Sequence, residues 1–157
     1  MNSLILSLVA GLGATLAIGV LSYAEVSLTE VVLLMAPFGA TAVLVFGVPS
    51  SPLAQPKNVI IGHFITASIG IAFSQYVEIT PITLAIATGL GVSAMLITKT
   101  THPPAGANPI LIMASGQGWS FLLTPVLIGA VVIVLVGKAL QLLQSQYLTP
   151  RLNGQKT

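Results

Sequence analysis

The chain has no cysteine, which removes disulfides, thiol chemistry and thiolate metal sites from consideration. It is almost as poor in charge. Only 5% of its residues are charged, where soluble domains carry about 25%. Its acidic residues are Glu25, Glu30 and Glu78, and it has two histidines, His63 and His102. So few ligating groups are a poor basis for a carboxylate metal site. The net charge of +2 is too small and too scattered to suggest nucleic acid. The sequence offers no Ser–His–Asp set, no phosphate-binding glycine loop and no metal-ligand cluster, so neither an enzyme nor a cofactor is expected.

What remains is apolar. The 157 residues are 55% hydrophobic, with a mean hydropathy of +1.01. No soluble fold of this size hides that much apolar surface, so the class is an integral membrane protein forming a single transmembrane domain over 1–157. Residues 4–23 are long enough to span a bilayer as a helix. A cleaved leader would lack a basic start here, so these residues are expected to stay. A polar turn follows from Glu25 to Glu30. Residues 31–48 are apolar but interrupted by Pro37 and Gly39, and 49–58 hold three prolines and read as a loop. Residues 59–76 and 82–98 form two further spans, with a turn at Glu78 between them. A short helix to about Ala114, a Gly-rich break and a last span over 121–143 complete the chain. Trp119 stands where an interfacial anchor belongs. The segment 144–157 is a polar tail expected to fray.

The sequence repeats itself. Thr15-Leu16-Ala17-Ile18 recurs as Thr83-Leu84-Ala85-Ile86, Pro37-Phe38-Gly39-Ala40 as Pro104-Ala105-Gly106-Ala107, and Val59-Ile60-Ile61-Gly62 as Val126-Leu127-Ile128-Gly129. The offsets are 68, 67 and 67 residues. Each half (about 4–76 and about 81–143) reads as span, Pro/Gly-broken segment, span. If all six segments cross, Lys57, Lys99, Lys138, Arg151 and Lys156 fall on one side and the three glutamates on the other. The positive-inside rule then makes the basic side cytoplasmic, with both termini there. An odd number of crossings per half inverts one half relative to the other. The expected fold is therefore an all-α membrane protein of two inverted three-segment repeats, a pattern that points to a transport site near the midplane.

The densest polar stretch is KTTHPPAGANPIL, residues 99–111. Prolines discourage helix in the residue before them, so His102 and Pro103 are expected to be extended, while Pro104 suits the first position of a new helix. Helix is likewise expected to start at Pro37. Two half-helix N-termini with free N–H groups would then face each other across a polar cavity and favour a small anion. Pro37, Gly39, Ala40, Thr41, Lys99, Thr101, His102, Pro104, Gly106, Ala107 and Asn108 are the candidate binding residues, with Lys57, Asn58 and His63 secondary. Lys99 would draw an anion from a distance or mark a span end. His102 would donate to a substrate oxygen or take up a proton. Thr41 and Asn108, at matched repeat positions, would be paired donors. His63 is expected in an interhelical hydrogen bond. Gly39 and Gly106 would allow close backbone approach.

The strings APFGATAVLVF (36–46), SPLAQPKNVIIGH (51–63) and TKTTHPPAGANP (98–109) resemble the HPP family of small integral membrane proteins, named for the His-Pro-Pro string. The resemblance covers nearly the whole chain. It departs from the expected pattern at Asn108-Pro109, where smaller or hydroxyl residues are expected. Members in cyanobacteria and plant plastids are linked to nitrite transport. The resemblance thus implies a nitrite transporter in a cyanobacterial-type inner membrane. Residue chemistry alone reaches a transporter or channel for a small monovalent anion, with a non-transporting scaffold as the alternative. Helix faces such as Ala67-Ser68-Ile69-Gly70 suit a homo-oligomer.

Overall fold

A computed structural model describes residues 3–28 and 31–148, and over them the protein is all-helical. Thr29, Glu30, Arg151, Lys156 and most of the predicted tail lie outside the described residues. The helices are α1 (Ser3–Ser27), α2 (Pro37–Ala42, continued by a π-type turn, Val43–Gly47), α3 (Pro56–Tyr76), α4 (Pro81–Ile97), α5 (Asn108–Ser115) and α6 (Ile128–Leu143).

Local chemistry sets most of these boundaries. Pro37, Pro56 and Pro81 each stand in the first turn of a helix, where a missing N–H is harmless. Thr80 and Thr83 form a capping box at the start of α4. Gly116, at φ 66°, ends α5 in the left-handed conformation that glycine adopts without strain. The last span is not continuous. Thr124 is extended (φ −127°, ψ 118°) because Pro125 follows it, and a π-type segment, Leu122–Leu127, bridges to α6.

Two expectations need correction. The predicted polar turn at Glu25 is helix, since α1 runs on to Ser27. The Glu25 carboxylate folds back to accept from the Leu33 and Leu34 N–H groups at 2.9 and 2.8 Å, which lets extended backbone enter the bundle with its donors paired. Lys57 and Asn58, expected in a loop, lie in the first turn of α3 instead.

Cross-chain contacts fix the path. At one end of the bundle Asn58 meets Thr101, and the α1 start, Gly47, Pro49 and Gln144 lie together. At the other end Gln75 meets Gln117 and Tyr76 meets Trp119. The segments 31–47 and 98–117 therefore each run from one end to the other. Among the described residues three helices, Leu4–Ser27, Pro56–Tyr76 and Leu122–Gln146, are long and apolar enough to cross a membrane on their own. The broken segments reach the same depth by combining non-helical chain with a short helix.

Lipid contact satisfies apolar side chains as well as helix contact does, so close packing and buried polar bonds must hold the bundle. Glycines provide the close packing. A Cβ at Gly62 would lie 2.9 Å from the Thr100 carbonyl oxygen, and one at Gly129 would lie 3.2 Å from that of Leu33 and overlap Phe38. The surface is coated with Leu, Ile and Val, including Leu12, Leu16, Ile82, Leu96 and Leu135.

Candidate functional site

Among the described residues six polar side chains are buried in the core: Thr41, His63, Thr66, Thr100, His102 and Asn108. Five of them, all but Thr100, form one connected cluster. Thr41, on α2, places its Oγ1 2.9 Å from His63 Nε2 on α3 and 3.0 Å from His102 Nε2. It also lies 3.1 Å from the carbonyl of Pro37, one turn earlier. Asn108, opening α5, brings Nδ2 to within 3.0 Å of His63 Nδ1 and of Thr66 Oγ1, and 3.2 Å of the His63 carbonyl. His102 Nδ1 sits 2.8 Å from the Leu53 carbonyl, on the short turn Pro52–Ala54 that precedes α3. The two imidazoles meet edge to face at 5.1 Å, and Phe38 closes His63 from another side at 5.4 Å.

The partners settle the hydrogens. A backbone carbonyl only accepts, so the Asn108 atom near the His63 carbonyl is the amide nitrogen, and His63 Nδ1 facing that nitrogen is the bare acceptor. Neutral His63 therefore carries its proton on Nε2 and donates to Thr41. By the same rule His102 Nδ1 carries a proton toward Leu53. Asn108 Oδ1 is buried with no partner. Among the described residues no group of three or more His, Asp or Glu stands together, and the cluster is a hydrogen-bonded set of side chains without a carboxylate.

The predicted residues divide into distinct groups. Thr41, His63, His102 and Asn108 are brought together, and the repeat-matched Thr41 and Asn108 hold the two nitrogens of one ring, His63. Pro37, Ala40, Pro104 and Ala107 instead line an apolar groove of about 530 Å³ with Ala36, Pro103, Ile110, Leu111 and Ala114. The gap between the two broken segments is thus apolar, not the polar cavity expected. Nor do the helix starts offer the free N–H groups expected there: Phe38 N–H donates to Met35, Gly39 N–H to Ala36 and Ala105 N–H to His102. Pro103 opens a 3-10 turn, Pro103–Ala107, one residue earlier than expected, and His102 is extended. Gly39 and Gly106 face open space, so neither allows a close contact within the protomer. Lys57 and Lys99 are exposed, Lys99 with the left-handed φ of 55°. Asn58 donates to the Thr101 carbonyl at 2.9 Å and pins the segment before His102. Thr66, Thr100 and the Leu53 carbonyl were not foreseen. Thr66 sits one turn before Gly70 on an apolar helix, and only the fold turns it toward Asn108.

With the histidine of the His-Pro-Pro string found in the cluster, similarity to known proteins becomes informative. The defining transmembrane region of HPP proteins matches residues 2–149. The chain belongs to the HPP family. It is similar to two transmembrane proteins of Dictyostelium discoideum, at 35% and 34% identity over 128 residues, or 76% of this chain. That overlap spans 45% and 41% of those relatives, so this HPP chain matches less than half the length of each of them. No solved structure matches it. The family and the apolar helices make this HPP protein an integral membrane protein.

Proposed function

We propose that this HPP protein carries a small monovalent anion, nitrite first, across the membrane through the Thr41–His63–His102–Asn108 cluster. The observation that carries this reading is a buried, carboxylate-free set of polar groups at the meeting point of both broken segments. Polar residues inside a bundle are costly and mark substrate pathways. Donors such as His63 Nε2–H, His102 Nδ1–H and the Asn108 amide suit oxygen-bearing anions, and the scarcity of acidic groups leaves no repulsion. Entry of an anion exchanges bonds among these side chains for bonds to the anion. Lys57 and Lys99 supply positive potential at one end.

Inverted repeats fit this reading. Gly62 approaches Thr100, and Gly129 approaches Leu33; 62 and 129, like 33 and 100, are 67 positions apart. Each half thus seats its partner's broken segment in the same way. The exposed groove at Ala36, Ala40, Pro103 and Ala107 fits a homo-oligomer, because small residues let helices approach closely in a membrane. The reading places the chain in a cyanobacterial-type inner membrane with both termini cytoplasmic.

Flux of nitrite, nitrate, formate and chloride into proteoliposomes tests the proposal. Saturable nitrite entry above protein-free liposomes is the expected result. Flux equal to protein-free liposomes for every anion would instead support the scaffold alternative, in which the cluster only holds the helices together.

A further inference from the structure

The Thr41 hydroxyl has one hydrogen and two lone pairs, and three polar atoms surround it. The Pro37 carbonyl only accepts, so a bond between it and the hydroxyl uses the hydroxyl hydrogen. His63 Nε2–H donates, because its Nδ1 is occupied by the Asn108 amide. His102 Nε2 is the third neighbour, and its other nitrogen already donates to Leu53. When His102 is neutral, bare Nε2 and the Pro37 carbonyl compete for one hydrogen. When Nε2 also carries a proton, all three bonds form at once: two into the oxygen, one out to Pro37. That state has His102 as an imidazolium and His63 neutral.

Among the described residues no carboxylate stands beside that charge. The groups facing His102 are the second imidazole from α3, the hydroxyl from α2 and the carbonyl of Leu53. Glu25 is engaged with Leu33 and Leu34, and Glu78, Lys57 and Lys99 are exposed. A buried lone cation is penalised by about several kcal/mol, and an adjacent anion offsets that penalty.

We propose that His102 takes up one proton as one monovalent anion enters, so that the site holds and releases the two together. This rests on the anion-carrying reading of the same site. In the uptake step a solvent proton forms an N–H bond at His102 Nε2. The hydrogen bond from Thr41 to that nitrogen breaks, and the Thr41 hydroxyl turns to Pro37. Release reverses each change and returns the proton with the anion, with no electron transferred. The Thr41 hydroxyl is the moving part, a rotor between two acceptors that both lie within about 3 Å of it.

Because the chain has two histidines, nitrogen NMR of histidine-labelled protein in lipid nanodiscs sees four ring nitrogens in all. Without added anion at neutral pH, one bare nitrogen per ring is expected, Nδ1 of His63 and Nε2 of His102. Acid should place the first imidazolium on His102. Sodium nitrite at fixed pH should raise the His102 imidazolium fraction, and nitrite affinity should rise about tenfold per unit fall in pH while His102 is mostly neutral. In proteoliposomes, each nitrite entering above the protein-free background should acidify the lumen by one proton, and His102→Gln should lose that acidification. An imidazolium forming first on His63, nitrite leaving His102 unchanged, or His102→Gln acidifying the lumen like wild type would each overturn the proposal. Absence of flux, with nitrite still driving the His102 imidazolium, would remove the transport reading and leave paired binding standing.

Discussion

Thr41 and His102, 61 positions apart in the chain, share a hydrogen bond of 3.0 Å in the core. One comes from the first broken segment and the other from the second, so this bond ties the two halves together at the depth where both are interrupted. His63 completes the tie through the same oxygen at 2.9 Å. An oxygen bonded in this way has both a structural and a chemical role, and substitutions can separate the two.

Thr41→Val keeps the shape and removes the oxygen. His63 Nε2–H and His102 then lose a buried partner, at about 1–3 kcal/mol for a buried group left unpaired. Reversible unfolding in mixed micelles should show a loss in that range. Thr41→Ser, which keeps the hydroxyl, should recover most of it. Equal stability of Thr41→Val and wild type would mean that the histidines find other partners.

Glycines at two sites should respond in opposite ways. At Gly62 a Cβ meets the Thr100 carbonyl at 2.9 Å and His102 Cβ at 3.0 Å. Backbone cannot move aside cheaply, so Gly62→Ala should destabilise by about 1–3 kcal/mol. At Gly106 nothing lies within 4 Å. Gly106→Val should leave protomer stability within about 0.5 kcal/mol of wild type, measured by the same unfolding assay. Any large effect of Gly106→Val should therefore appear in oligomeric state or flux, and wild-type behaviour in both would show that this face is idle.

Lys99 combines a charge with an unfavourable backbone. Its φ of 55° is left-handed, and its N–H still donates to Leu96 at 3.2 Å. A left-handed residue other than glycine pays roughly 1–2 kcal/mol, and glycine gives back roughly 0.5–1 in chain entropy. Lys99→Gly should thus raise stability by under about 1 kcal/mol, whereas Lys99→Gln should leave it unchanged. Both should slow anion flux at low ionic strength and approach wild type at high salt, where surface charge is screened. Flux unaffected at low salt would make Lys99 only a span-end residue.

The absence of cysteine makes topology directly testable with single-cysteine variants. Cysteines at Ser50 and Lys99 should react with an impermeant reagent from one side, and cysteines at Glu78 and Gln117 from the other. Labelling of positions 99 and 117 from the same side would mean that the segment between them turns back instead of crossing.

How much of this was legible in the sequence depends on the range of the interaction. The membrane class, the α4 boundaries and the helix start at Pro37 follow from composition, proline geometry and capping, which act over a few residues. The matched strings, 67 and 68 positions apart, were legible because they stand in the sequence itself. His63 was placed on an apolar helix with an interhelical bond, and the structure confirms that bond but makes its ring the centre of the cluster. The break at Thr124 was legible in principle, since Pro125 forces it.

Sequence alone determined that the chain is an all-helical membrane protein, interrupted twice by Pro/Gly strings, with very few groups able to carry chemistry. Tertiary structure decided which of those groups meet. The gap between the broken segments is apolar because Pro37, Ala40, Pro104 and Ala107 face it, while Thr41, His102 and Asn108 turn toward α3. Side-chain direction on a short helix depends on rotation about its axis, and that rotation is set by the partners it packs against. The helix-start N–H groups were expected to be free for a ligand but are spent on tight-turn carbonyls. The physical reason is the same in both cases: a polar group inside a bilayer takes whatever partner the fold brings within reach, and a linear sequence does not record that distance.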